Sequence, residues 1–282
     1  MSTRQKMRSD HLRKMRSFFF RKEARLRNQI SEIVVLLALG IIFLPHSSSA
    51  LISPRAAGMG NTFISVADDH YTVLYNPAGI FSLTEGRIYL QYGESSEINA
   101  YGISYIFSPA GKIRIATSFF REKETQEVVL TYAGLISGFN WGANVRFSTL
   151  GPQYSVAWDL GLLYRWGPHQ QFGILISDLS NTVVYDSLRV IPQQRRLGFC
   201  FPVSDTFLFS VDWDEKEGFI SWGVEQYLSS YIFRVGYCRG DFTCGLGFHL
   251  GPLDADYAYL TRIVERGIVK ENVHLLGLTL HF

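Results

Sequence analysis

From residue 87 onward the chain alternates apolar residues with small or polar ones, segment after segment, without a helical period between them. The clearest stretch is Tyr154–Trp166: Tyr154, Val156, Trp158, Leu160, Leu162, Tyr164 and Trp166 share one parity, while Ser155, Ala157, Asp159, Gly161 and Arg165 share the other. Leu163 is the one exception on the small face. Successive side chains of a strand point to opposite faces, so this segment has one greasy, aromatic face and one small or charged face. A soluble β-sandwich would bury its apolar faces on each other and turn polar faces outward. Strand after strand with an aromatic-rich face backed by glycine, arginine and aspartate fits lipid outside and a polar lumen inside.

The chain divides into about fourteen such segments between Arg87 and Phe282. Most reach the roughly nine to eleven residues that a tilted transmembrane strand needs. Their connections alternate in length. Pro109–Gly111, Ser137, Gly167–Gln170, Pro202–Asp205, Ser229–Ser230 and Gly251 are short, whereas the intervening ones, Asp178–Ile191 above all, are longer or charged. Membrane barrels keep short turns on the periplasmic side and long loops outside. The expectation is therefore an all-β, 14-stranded antiparallel transmembrane barrel over 87–282, in the bacterial outer membrane with both mature termini periplasmic.

The net charge of +2 conceals two opposite parts. Residues 1–31 carry ten Lys/Arg against Asp10 and Glu23, and the chain beyond residue 50 carries 17 Lys/Arg against 22 Asp/Glu, about −5. An acidic barrel gives no footing for nucleic acid. The apolar run Ile33–Leu44 is shorter than the roughly 20 residues of a spanning helix. Ser48 and Ala50 supply small residues where a signal peptidase cuts. Residues 1–50 thus read as a signal peptide with a long basic start. Cys238 and Cys244 flank a turn but fall on opposite parities, so they and Cys200 are expected as free thiols.

Strand 14 ends Gly277-x-x-Leu280-x-Phe282, which resembles the insertion signal read by the barrel assembly machinery, with Leu275 where a polar residue is usual. Inward parity is expected for Arg114, Arg146, Arg165, Arg196 and Arg234, and for Asp159, Asp212, Glu225, Asp254 and Asp256. Ionisable residues in a barrel wall face the lumen and pair there. No G-x-S-x-G, H-E-x-x-H or phosphate loop occurs, which leaves catalysis without a motif, and no metal or cofactor is called for.

Residues 51–86 do not alternate and are too few to fold alone. Gly58 and Gly60 permit close approach, and Asn76-Pro77 looks like a helix cap with proline at the first turn. If the block folds, the lumen is its place. Asp68 and Asp69 could hold a cation or pair with lumen arginines; pairing is the expectation. Arg55-Ala-Ala-Gly-Met-Gly60, Ala67-Asp-Asp69 and Tyr75-Asn-Pro-Ala-Gly79 together resemble the N-terminal signature of the PorV/PorQ family, barrels related to the long-chain fatty acid transporter (FadL) family. That resemblance implies an N-terminal hatch in the lumen, marked here by Gly58, Gly60, Asp68, Asp69, Asn76, Pro77 and Gly79. It also implies a role in protein secretion or cargo anchoring. The alternatives are a FadL-like passive channel for a hydrophobic small molecule, against which the polar inward set counts, and an outer-membrane hydrolase.

Overall fold

The computed structural model describes residues 53–83, 87–94, 99–110, 112–122, 125–150, 153–167, 170–179, 182–185, 189–264 and 269–281. The expected signal peptide, residues 51, 52 and 84–86 of the hatch block, and Phe282 lie outside them. The strands are β1 (Arg87–Glu94), β2 (Asn99–Ala110), β3 (Ile113–Glu122), β4 (Thr125–Ile136), β5 (Phe139–Leu150), β6 (Gln153–Arg165), β7 (Gln171–Ser177), β8 (Thr182–Tyr185), β9 (Arg189–Ile191), β10 (Gln194–Ser204), β11 (Phe207–Asp214), β12 (Phe219–Leu228), β13 (Tyr231–Cys238), β14 (Asp241–Leu250), β15 (Leu253–Val264) and β16 (Val269–His281). Consecutive barrel strands pair antiparallel, β7 pairs with β10, and β1 pairs with β16 from Arg87↔His281 to Glu94↔His274. The wall is thus a closed barrel of fourteen strands, β1–β7 and β10–β16. Closure is what lipid demands, since an open edge would leave backbone N–H and C=O groups unpaired in hydrocarbon.

The strands β8 and β9 lie inside the Asp178–Ile191 segment, which the alternation had assigned wholly to a connection. Their presence has a local cause. β6 pairs with β7 only over Leu160–Arg165, which leaves its first half without that neighbour. Tyr154 and Ser155 pair with Tyr185 and Val184 of β8 instead, so the short hairpin covers part of an exposed edge.

Alternation holds around the wall. Trp158, Leu160, Leu162, Phe233, Val235, Leu276 and Leu278 are exposed on the outer face, while Asp159, Ser210, Asp212, Ser221, Glu225 and Arg234 are buried on the inner one. The short connections, including Ser137-Gly138 and Ser229-Ser230, gather at one end together with Arg87 and His281. Ser137, Gly138, Ser229 and Gly251 take positive φ in these turns. The three cysteines are free; Cys200 is buried and Cys244 exposed.

Candidate functional site: the plugged lumen

Residues 53–83 fill the lumen. The segment opens with α1 (Pro54–Gly58), where the Ser53 side chain accepts from Ala56 N at 3.2 Å and Pro54 takes the first turn. A four-residue α2 (Thr72–Tyr75) follows, then a 3-10 helix over Pro77–Ser82. Asn76 is fully buried and has two jobs. Its Oδ1 accepts from Ala78 N at 3.2 Å, which caps the 3-10 helix. Its Nδ2 donates to Ile64 O at 2.8 Å and to Leu162 O of β6 at 3.2 Å, which fastens the hatch to the wall.

Glycine allows the hatch backbone to rest directly on the wall. A Cβ on Gly60, which sits at φ +64°, would come within 2.6 Å of Trp222 O and Tyr237 N. On the wall, a Cβ at Gly223 or Gly236 would collide with the Met59 main chain, and one at Gly161 with the Asn76 side chain. Gly58 lies against Gly245, Gly79 against Ala67, and Gly277 faces the Tyr71 hydroxyl. The inward glycines Gly161, Gly223 and Gly236 are therefore the imprint of a second chain segment.

Charge holds the same contact. Asp68 and Asp69 do not pair with any of the five expected wall arginines; both pair with Arg55 of the hatch itself, at 2.6 and 2.9 Å. Arg55 also donates Nε and Nη2 to the two oxygens of Glu225 on β12, at 2.8 and 2.7 Å. Glu225 accepts Arg234 Nε at 2.6 Å, and Arg234 reaches Asp256 at 2.6 Å. Such bidentate, charge-assisted bonds are the directional ones. Burial alone would pull the Arg55 pKa down, but the Asp68 and Glu225 carboxylates outweigh it and hold the guanidinium above its usual range. Arg55 was legible only as part of a signature; its role follows from Glu225, 170 positions away.

Other wall charges address the hatch or each other. Asp212 accepts Phe63 N at 2.8 Å and Ile64 N at 3.0 Å, and Arg196 donates to Asn61 O at 3.2 Å. Arg146 pairs with Asp159 at 2.8 Å and Asp178 at 2.7 Å. Asp254 bonds His281 at 2.6 Å and also His249. Arg114 donates to Leu83 O at 2.8 Å and lies over the Phe81 ring, while exposed Arg165 donates to Gln171 at 3.1 Å. Neither of these two pairs with a carboxylate among the described residues.

The inward face is greasier than parity by composition suggested. Tyr89, Ile106, Ala116, Phe120, Val129 and Ala133 from β1–β4 join hatch residues Phe63, Ile64, Tyr71, Val73, Ile80 and Leu83 in one buried cluster. Leu163, the exception on β6, packs against Ala67 and Ala78. Cavities flank the plug at both ends. One of about 380 Å³ opens at the end with the long connections, between Thr125, Asp178 and Gln194 at its rim and Leu74, Phe120 and Leu175 at its floor. The other, about 330 Å³, lies at the short-turn end between His70, Arg87, Asp254 and His281.

A closed wall with a lipid-type outer face and a buried N-terminal hatch defines a plugged transmembrane β-barrel. No family model and no curated protein sequence matches the chain. Among solved structures it is similar to the Pseudomonas putida toluene transporter TodX, with TM-score 0.59 and 11% identity over 84% of this chain and 99% of that one. It is similar also to a Pseudomonas aeruginosa FadL homologue, with TM-score 0.58 and 10% identity over 84% and 100%. At such identities the likeness is one of fold.

Proposed function

We propose that this chain is a non-enzymatic, hatch-closed passive channel of the bacterial outer membrane for a hydrophobic small molecule. Its long connections face outward and both barrel termini face the periplasm. The observation that carries the reading is the apolar seam between the hatch and β1–β4. Phe120 belongs both to that seam and to the floor of the outer cavity, so an apolar solute entering there meets a continuous greasy boundary. The fold shared with a toluene transporter and a FadL homologue supports the same class. Uptake of a labelled hydrocarbon or fatty acid by cells carrying the barrel should be saturable and exceed that of cells lacking it. Equal uptake in the two would overturn the channel.

A second reading, protein secretion with cargo held at the outer mouth, is favoured by the ion-paired attachment of the hatch, which suits a barrel that stays shut. Copurification of a secreted protein with a barrel that takes up nothing would decide for it. Either way the partners are membrane lipid and the assembly machinery that reads the last strand.

A further inference from the structure

The outer cavity combines an apolar floor with an unbalanced set of charges. Among the described residues, Glu127, Asp159 and Asp178 line it against Arg146 and Arg196, three carboxylates to two guanidiniums. Both arginines stand against carboxylates. Arg146 pairs with Asp159 and Asp178, at 2.8 and 2.7 Å. Arg196 lies 3.8 Å from Asp212 and 3.7 Å from Asp214, two further carboxylates behind the lining, and donates to Asn61 O. Glu127 is the least compensated of the three: Arg146 stands 4.0 Å away and the Ser148 hydroxyl donates at 2.9 Å. A cleft with low-dielectric walls and an excess of one sign concentrates the opposite sign. Among the described residues no grouping of His, Cys, Asp and Glu is arranged to hold a metal ion. The floor of Leu74, Phe120 and Leu175 offers dispersion contacts that only an organic body can use.

We propose that this cavity is a binding site for a small organic ammonium ion, whose apolar body rests on Leu74, Phe120 and Leu175 and whose charged head faces Glu127 and Asp178. The volume of about 380 Å³ suits a molecule of that kind. The proposal rests on the channel reading, and narrows its solute from a plain hydrocarbon to an amine-bearing amphiphile.

Three probes of one shape separate the possibilities: phenethylammonium, neutral 2-phenylethanol and anionic phenylacetate. Each is titrated calorimetrically into the full barrel in lipid nanodiscs, with empty nanodiscs subtracted. Phenethylammonium is expected to bind roughly tenfold tighter than the alcohol, and phenylacetate weakest, with the preference eroded by salt. Glu127→Gln and Asp178→Asn should each remove most of the preference while leaving the alcohol unaffected. Equal binding of the three probes, or a preference for phenylacetate, overturns the proposal without needing any variant to fold. Hydrocarbon uptake by cells together with no ammonium preference leaves the channel standing and removes this site. Ammonium preference without uptake supports the site and removes the channel.

Discussion

The hatch meets two different walls. Toward β10–β14 it is held by directional bonds: Arg55 to Glu225, Phe63 and Ile64 N–H to Asp212, Arg196 to Asn61 O, and Thr243, which accepts from Gly60 N at 3.0 Å and donates to Gly58 O at 3.2 Å. Toward β1–β4 it is held mainly by packing on Tyr89, Ile106, Phe120 and Val129, with Arg114 to Leu83 O as a hydrogen bond at the rim. Directional contacts specify one position and are lost when it is left. Apolar contact is non-directional and survives small displacements. The polar side is thus built to keep the plug in place, and the apolar side is where a boundary can loosen or admit a greasy solute.

The bluntest way to break the comparison is to remove the plug. Deleting residues 55–80 should raise single-channel conductance in planar bilayers by an order of magnitude or more, since an unplugged barrel of this width holds water. Unchanged conductance would mean that the segment does not close the lumen. A narrower break addresses the polar side alone. Glu225→Gln removes the shared partner of Arg55 and Arg234, both buried. Breaking a buried pair from one side costs about 3–5 kcal/mol. The hatch should then become sensitive to protease from the short-turn end, and ion conductance should appear. A variant that stays both resistant and closed would show that Asp212 and Thr243 suffice.

Much of this was legible in the sequence, and what was not shares one cause. A strand writes its orientation locally, every second residue, so fourteen strands could be read from alternation and turn residues. Contacts between hatch and wall join positions far apart. Arg55 finds Asp68 and Asp69 nearby but Glu225 at a separation of 170. Gly223 and Gly236 must be small because the Met59 backbone lies on each, which nothing in their local pattern tells. Phe120 and Leu175 sit inward against the general polarity of that face because the hatch brings its own apolar side to them. The β8–β9 hairpin was missed because its cause, the unpaired half of β6, is a property of pairing and leaves no local pattern.

The apolar side is tested by Phe120→Ala. Truncating a fully buried phenylalanine costs about 3 kcal/mol or somewhat more. With the directional bonds intact the hatch should stay seated, so ion conductance should remain low. Hydrocarbon uptake should change instead, because the side chain joins the cavity floor to the seam. An ion leak as large as that of Glu225→Gln would erase the distinction between the two walls.

The smallest effect concerns His70, which lies where the hatch meets the β1–β16 junction. Its ring is buried 3.9 Å from Tyr71 and 4.2 Å from Tyr89, centroid to centroid, with the Thr279 hydroxyl at 3.3 Å. Burial first, and the Arg87 guanidinium second, push its pKa well below the ordinary histidine value. The docked hatch therefore holds His70 neutral, while an undocked hatch exposes it to water and to its ordinary titration. Well above pH about 6.5 neither state carries the proton and docking is at full strength. As pH falls through that value the undocked state takes up a proton that the docked state refuses, and docking weakens. Protection of the hatch from protease should decline between about pH 7.5 and 5.5. His70→Asn, which cannot titrate there, should lie flat across it. A decline of equal size in both proteins would place the sensitivity outside His70.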